Sequence, residues 1–342
     1  MKVLLVKLSS LGDIVHTLPV VQDIRAALPG AEIDWVLEKS FLPLLAPLLQ
    51  HGDVRRVIPC ELRLWRKSPF AAATRCEWRA FKSQLQSEAY DAVLDLQGLS
   101  KSALIAWLAC LTPSGKRYAM ANRTDGSGYE APTRWVADIA IPITPHVHAV
   151  QRSRELAAQA LGYALSSHAD FGLNRPVMAK AWAGAAIKNS ALKIQSDTVV
   201  FVHGTSRADK EWPVDYWIEL GQRLAAMGGT IALAHGNATE LAASHAIAQG
   251  IGRAATVWPA LPLDELTAAL AQCAGVIGVD SGVSHIAVAL GLPHVQIYNF
   301  DTAWRTGPAP SGPTSQCSVV AQFAPAVDAV WQAWLECRQH AA

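Results

Sequence analysis

Val3-Leu-Leu-Val-Lys-Leu-Ser-Ser-Leu-Gly-Asp-Ile-Val-His-Thr-Leu-Pro19 decides how the chain is read. Val3–Val6 is a short apolar run of strand type. Leu8-Ser-Ser-Leu-Gly12 breaks it with turn-forming residues. Ile14, Val15, Leu18, Val21 and Ile24 then recur at helical spacing, with Asp13 just ahead of them. The order is strand, loop, helix. In an open α/β sheet such a loop lies at the carboxyl end of a strand, where ligands bind. The spacing sets the Asp13 carboxylate at a helix N-terminus. Two readings fit that position: an ordinary N-cap and a functional carboxylate.

The pattern continues outward. In the first half, strand-like runs (Ile33–Leu37, Val54–Ile58, Ala92–Leu96) alternate with helical segments such as Pro19–Leu28 and Glu77–Glu88. Residues 112–147 are poorer in pattern and rich in Gly, Pro and Arg, and read as loops and short elements. Val150–Leu161 reads as a helix. Turn residues near Ser166–Pro176 mark a change, followed by an expected helix over Val177–Lys188. The strand-like Thr198–Val202 then restarts the alternation, through strands at Thr230–Ala234, Thr256–Trp258, Val276–Val279 and His294–Tyr298. Such alternation predicts α/β architecture with two doubly wound, Rossmann-like domains. Their expected bounds are 1–165 and 176–322, with a last helical segment in 323–342.

Composition narrows the class. With 342 residues, 51% apolar and 17% charged, the chain has enough material for two cores. A net charge of +1 argues against a general nucleic-acid binder. The six cysteines are scattered, with no C-x-x-C pair, so reduced thiols in a cytosol are expected rather than a disulfide framework. The start of the chain has no apolar segment of signal type, and the longest apolar run, Ala103–Leu111, is too short to span a bilayer. Any membrane contact is expected to be peripheral.

Three loops after strands carry candidate chemistry. His203-Gly-Thr-Ser-Arg-Ala-Asp-Lys210 has the glycine, hydroxyl pair and basic residues of a phosphate-binding loop, in which hydroxyls and N–H groups cradle the anion and an ammonium pairs with it. A solvated loop with an N-cap at Asp209 fits the same residues. Gly278-Val-Asp-Ser-Gly-Val-Ser-His285 ends a strand and opens a helix, whose N-terminus can offer N–H groups to phosphate; a plain cap is the alternative. Ala234-His-Gly-Asn-Ala-Thr-Glu240 sets Glu240 in a first helical turn, where it serves either a ligand or its own helix. A fourth feature is the run from Arg55 to Lys82. It holds Arg55, Arg56, Arg63, Arg66, Lys67, Arg75, Arg79 and Lys82 with Trp65, Phe70 and Trp78 interleaved, against Glu61 and Glu77. It suits either a solvated face or a phosphorylated, carboxylate-bearing amphiphile at a membrane surface.

Lys7-Leu-Ser-Ser-Leu-Gly-Asp-Ile-Val-His-Thr-Leu-Pro19 closely resembles the N-terminal signature of the lipopolysaccharide heptosyltransferases, glycosyltransferase family nine. Phe41–Pro59, Leu62–Lys67, Tyr90–Gly98, Gly204–Pro213 and Gly278–His285 agree in the same order, so the resemblance covers nearly the whole chain. It implies glycosyltransferase-B architecture with the active site in a cleft between the domains. It also implies that the last helix, within 323–342, crosses back to the N-terminal domain.

The implied reaction is inverting transfer of heptose from ADP-heptose to the inner Kdo of Kdo2-lipid A, at the cytoplasmic face of the inner membrane. Asp13 would be the base. Thr205, Ser206 and Lys210 would hold the donor pyrophosphate and Glu240 the ribose hydroxyls. Leu261, in Trp258-Pro-Ala-Leu261, would meet adenine. Asp280 would contact heptose hydroxyls, Ser281 and Gly282 the phosphate, and His285 the sugar or phosphate. Ser10, Gly12, Arg63, Arg66 and Lys67 would face the acceptor. No cofactor, no metal and no nucleic-acid partner is implied; Asp280 and His285 lack a third metal ligand in the sequence. A family member with a different acceptor, such as a second heptosyltransferase, and a nucleotide-binding protein without transferase activity are the alternatives. One stretch departs from the family. Its usual Gly-Pro-Thr-Asp-type turn after the last strand is replaced by Tyr298-Asn-Phe-Asp-Thr302.

Overall fold

The apolar opening is a buried strand: in β1 (Lys2–Val6), Val3, Leu4, Leu5 and Val6 are fully out of solvent. In the computed structural model, which describes residues 1–173, 192, 194–309 and 314–340, the chain divides into two units, Met1–Gly172 and Leu173–Ala342. The helix expected over Val177–Lys188 lies outside the described residues.

In the first unit, β1 is joined by β2 (Glu32–Glu38), β3 (Arg56–Cys60), β4 (Ala89–Asp95), β5 (Cys110–Met120) and β6 (Ile139–Ile141). All pair in parallel, in the order β3-β2-β1-β4-β5-β6. Val3 stands opposite Ile33 on one side and Ala92 on the other. Helices α1 (Leu11–Val15), α2 (Leu18–Ala27), α3 (Leu42–His51), α4 (Leu62–Lys67), α5 (Ala72–Leu85), α6 (Ser100–Leu108), α7 (Pro132–Val136) and α8 (Ala149–Leu161) make the connections and cover the sheet. The near-continuous apolar strands follow from that, since a parallel sheet is buried on both faces.

The second unit repeats the plan. Strands β7 (Thr198–Val202), β8 (Thr230–Leu233), β9 (Ala255–Val257), β10 (Gly275–Val279), β11 (His294–Tyr298) and β12 (Gln316–Val320) lie in the order β12-β11-β10-β7-β8-β9, all parallel. The connections include α9 (Val214–Ala226), α10 (Ala238–Ile251), α11 (Leu263–Leu270), α12 (Gly282–Ala289), α13 (Ala303–Thr306) and α14 (Val327–Gln339). In each unit the winding reverses beside the first strand, between β1 and β4 and between β7 and β10. The loops leaving those four strands are where an open α/β sheet binds its ligands.

Several expectations are corrected. Residues 112–147 are not mainly loops: β5 runs eleven residues and β6 extends the sheet edge. The glycine and proline content hid β5, whose middle lies against β4 with a register shift between Tyr90 and Ala92. Strand β12 gave no clear apolar signal because its last residue is exposed and three others are half-buried. The last helix, expected to cross back to the N-terminal domain, is anchored by its apolar stripe within the second unit. α14 buries Val327, Val330, Trp334 and Cys337 in the second unit's core with Phe201, Leu224 and Ile297. Gly275 permits this approach, since a Cβ there would lie 2.7 Å from the Trp334 ring and 2.5 Å from the Pro293 carbonyl.

His294 starts β11 fully buried, its Nδ1 2.9 Å from the Val276 carbonyl. Burial depresses its pKa to about 4. Between that value and 6.5, the unfolded chain binds a proton that the folded chain excludes, so stability falls as pH drops through this window. The full effect is about 3 kcal/mol. Urea unfolding at pH 7.5 and pH 5 should show a smaller pH difference in His294→Asn than in wild type; equal differences would refute the assignment.

Candidate active site

At the end of β1 the backbone turns at Ser9–Ser10 and enters α1. Ser10, not Asp13, is the N-cap residue, and Asp13 is the third residue of the helix. The periodicity beginning at Ile14 hid this short first helix. Asp13 Oδ2 accepts hydrogen bonds from Ser10 N at 3.0 Å and Ser10 Oγ at 3.2 Å, which closes a capping box. The other oxygen, Oδ1, faces cations: Lys7 Nζ at 3.2 Å and an Arg152 guanidinium nitrogen at 3.8 Å. Burial alone would raise the Asp13 pKa. The Lys7 charge, the Ser10 N–H and Arg152 outweigh it and hold the carboxyl below its ordinary value. The Asp13 side chain keeps 32% of its surface open, so a carboxylate oxygen remains reachable from solvent.

Lys7 itself is 1% exposed. Burial lowers its pKa, opposed by Asp13, and its ammonium also donates to the Leu96 carbonyl at 2.9 Å. The neighbouring β4 loop holds the Ser9–Ser10 turn. Gln97 Oε1 accepts from Leu8 N at 3.0 Å and Ser9 N at 3.2 Å. Lys101 Nζ donates to Ser9 Oγ at 3.0 Å. Beneath them, buried Asp95 accepts from Gln97 N, Gly98 N and Ser102 Oγ, and burial pushes its pKa up to about 6. Sequence reasoning assigned no role to Lys7, Gln97, Lys101 or Arg152. A lysine directly after a buried apolar run was the visible signal for Lys7.

Of the expected acceptor residues, Ser10 is exposed beside Asp13, whereas Gly12 is buried inside α1. Arg63, in the first turn of α4, lies within electrostatic reach of Glu38, as does Lys101. Burial raises the Glu38 pKa and these two cations oppose it. Arg63 therefore shares the sheet edge with the Ser9 turn. Arg66 and Lys67 continue along α4, exposed. The basic run is not uniform: Arg55 and Arg56 both bind the fully buried Asp34, at 2.6 and 2.7 Å. They brace β3 against β2 and leave the candidate surface.

In the second unit the loops after β7 and β10 meet. Lys210 Nζ lies 2.5 Å from Asp280 Oδ2, and Thr205 Oγ1 donates to the Asp280 carbonyl at 3.1 Å. His285 Nε2 is 3.4 Å from Asp280 Oδ1, and Thr306 Oγ1 is 3.3 Å from the same oxygen. Burial opposes ionisation of Asp280, but His285 and Lys210 hold its carboxyl far below the ordinary range. Ser281 caps α12, accepting from Ser284 N at 3.4 Å, and Gly282 begins that helix. Ser206 is exposed in the same first loop. Among the described residues no group of three or more His, Cys, Asp or Glu is placed to hold a metal.

Glu240 comes to the same edge from α10. Its Oε2 accepts from Gly236 N at 2.6 Å, while Asn237 caps the helix. Gly204 lies flat against this carboxylate: a Cβ there would be 2.5 Å from Glu240 Cδ. Leu261 is half-buried in the loop before α11. The atypical stretch after β11 also has a structural account. Asn299 Nδ2 donates to the carbonyls of Asp209 and Glu211, and the Arg207 guanidinium sits 5.8 Å from the centre of the Phe300 ring. This loop clasps the segment that carries Lys210. Asn299 and Thr306 went unassigned because the departure gave no pattern to match.

The profile of Glycosyltransferase family 9 (heptosyltransferase) matches residues 78–329. The chain is 38% identical over 308 residues to "Lipopolysaccharide heptosyltransferase 1" of Pseudomonas aeruginosa, covering 90% of this chain and 81% of that one. Its fold is similar to "E. coli heptosyltransferase WaaC with ADP", with a TM-score of 0.83 and 33% identity over 98% of this chain and 100% of the other. The same enzyme "with ADP-2-deoxy-2-fluoro heptose" matches with a TM-score of 0.76 and 33% identity, over 97% and 98% of the two chains.

Proposed function

The chain belongs to glycosyltransferase family 9, the heptosyltransferases, and from that premise we propose that it moves heptose from ADP-heptose to the inner Kdo of Kdo2-lipid A in lipopolysaccharide core synthesis. The observation that carries the reading is the Asp13 carboxylate, ionised between Lys7 and Arg152 yet open to solvent at the winding reversal of the first sheet. An acceptor hydroxyl is a poor nucleophile until it loses its proton. Asp13 takes that proton as the hydroxyl oxygen bonds to the anomeric carbon. The bond from that carbon to the ADP oxygen breaks, and its electron pair leaves with the phosphate. One displacement, with no covalent enzyme intermediate, inverts the anomeric centre.

The second unit's residues have donor roles in this reading. Thr205, Ser206, Lys210 and the amides of Ser281 and Gly282 hold the pyrophosphate and stabilise the charge that builds on it. Asp280 and His285 contact the heptose. Glu240 accepts from the ribose hydroxyls and Leu261 flanks the adenine. Lys210 is drawn against Asp280 in the structure, so pyrophosphate must share or take over that ammonium.

In the first unit, Ser10 borders the acceptor hydroxyl and Gly12, buried behind it, shapes the turn into α1, while Arg63, Arg66 and Lys67 attract acceptor phosphate and carboxylate. Since the acceptor is a membrane lipid, this reading puts the protein peripherally on the cytoplasmic face of the inner membrane. Among the described residues no helix is long and apolar enough to cross a membrane.

The direct test is ADP release by purified protein, which should need both ADP-heptose and a Kdo-bearing acceptor. Donor turnover that is indifferent to acceptor would reject it. Neutralising Arg63, Arg66 and Lys67 together should raise acceptor KM and leave donor binding alone. The defect should shrink at high salt, because exposed charges are screened over about 10 Å at 0.1 M. Wild-type acceptor kinetics at low salt would return these residues to a solvated face.

A further inference from the structure

We propose that Thr306, oriented by the buried Tyr298 hydroxyl, is a positioning residue that turns the Asp280 carboxylate toward a hydroxyl of the donor sugar. The proposal rests on the donor reading of the second unit and goes beyond it, since neither Thr306 nor Tyr298 has a role there. Both belong to the region where the chain departs from its family. Tyr298 ends β11 and opens the atypical stretch, and Thr306 ends α13, the short helix that follows it.

Hydrogen-bonding capacity fixes the direction of the contacts. His285 and Lys210 hold the Asp280 carboxyl ionised, and an ionised carboxylate only accepts. Thr306 Oγ1, 3.3 Å from Asp280 Oδ1, must therefore point its single proton there. Its oxygen is then the acceptor for Tyr298 Oη, 3.1 Å away, so the phenol donates. Tyr298 is 2% exposed, and burial together with the Asp280 charge raises its pKa, so the phenol keeps its proton. The relay runs one way, from the core strand β11 through α13 to the loop after β10.

The occupancy of the carboxylate selects what it can still bind. Its two oxygens offer about four acceptor positions. Thr306 Oγ1 and His285 Nε2, at 3.3 and 3.4 Å, take those of Oδ1. Oδ2 holds Lys210 Nζ at 2.5 Å and keeps a position for one more donor. A sugar hydroxyl can fill it. A pyrophosphate oxygen has no proton to give and is repelled by the like charge. Asp280 thus separates the sugar from the rest of the nucleotide. When pyrophosphate draws the Lys210 ammonium toward itself, the contacts at Oδ1 stay and hold the plane of the carboxylate. The Thr205 contact does not serve here, because it is made to the Asp280 backbone carbonyl. Thr306 therefore matters most with donor bound.

The experiment is calorimetry of the full chain with ADP and with ADP-heptose, with no acceptor present. Transfer is scored separately, in the Kdo-acceptor assay above, so its failure is not mistaken for failure of this proposal. Thr306→Val keeps the size and removes the hydroxyl, and should lower ADP-heptose affinity by about 10-fold, the scale of one hydrogen bond to a charged group. Tyr298→Phe should lower it by about fivefold, the scale of one neutral hydrogen bond. Thr306→Ser, which restores the hydroxyl, should bind ADP-heptose like wild type. ADP affinity should be unchanged in all three, which also verifies their fold. Wild-type ADP-heptose affinity in Thr306→Val or in Tyr298→Phe would overturn the proposal. So would Thr306→Ser as weak as Thr306→Val, which would assign the effect to shape, or equal losses for ADP and ADP-heptose, which would assign it to the phosphate loops.

Discussion

Asp13→Asn should lower kcat by about 10²–10⁴-fold, the usual loss when a general base is removed. ADP affinity and melting temperature should stay close to wild type. Asparagine is nearly isosteric, and its side-chain oxygen can still accept from Ser10 N, so the capping box survives. What it cannot do is take a proton. The surroundings decide the form of the effect. Lys7 and Arg152 hold the carboxyl below its ordinary pKa, so in the proposed reaction Asp13 would be ionised at neutral pH but a weak base, with proton transfer late in the displacement. The acid limb of the kcat profile should therefore fall below about pH 4, the ordinary aspartate value. If Asp13→Asn retained more than about a tenth of wild-type kcat, outside the range for a lost base, Asp13 would be a structural cap residue. His16, 7% exposed one helical turn further on, would be the next candidate.

Lys210→Ala should reduce ADP affinity by about 10–100-fold, the scale of one charge-assisted hydrogen bond. The structure adds a second consequence. Asp280 is 6% exposed and its ionised form depends on His285 and Lys210. Without the ammonium, the buried carboxylate loses a 2.5 Å partner, and the loop bearing Ser281 and Gly282 loses a tie to the β7 loop. Thr205 Oγ1, bonded to the Asp280 carbonyl, is a tie that stays. Calorimetry on a variant with a wild-type circular dichroism spectrum would settle the matter. Unchanged ADP binding would remove Lys210 from the donor site.

Much of the fold could be read from the apolar periodicity. Val3–Val6, Thr198–Val202, Val276–Val279 and His294–Tyr298 are buried on both faces, so their composition alone marks them as inner strands of parallel sheets. The edges were less legible. β5 carries Pro113 and Gly115 and β12 is partly exposed, so neither repeats a simple apolar pattern. α14 shows why a helix cannot be assigned to a domain from its sequence: its apolar stripe says that it is covered, and not by what.

The candidate site was legible wherever its chemistry sits in a loop directly after a strand. Thr205, Lys210, Asp280 and His285 were named from two separate stretches, and the winding brings them together. The supporting charges were not legible. Arg152 reaches Asp13 from a helix 139 positions further along the chain, and Gln97 and Lys101 fix the Ser9–Ser10 turn from the far side of the winding reversal. Such contacts depend on tertiary placement, which no local pattern records. Arg55 and Arg56 show the opposite error. They read as part of a cationic surface, but the buried carboxylate that claims them, Asp34, lies on another strand.

The most direct test of the central claim is the structure of the product formed by the purified chain from ADP-heptose and Kdo2-lipid A. Mass spectrometry and nuclear magnetic resonance should find one heptose on the inner Kdo, with the anomeric configuration inverted relative to the donor and one ADP released per transfer. An acceptor recovered unchanged while ADP-heptose is consumed, or a heptose joined with retained configuration, would contradict it.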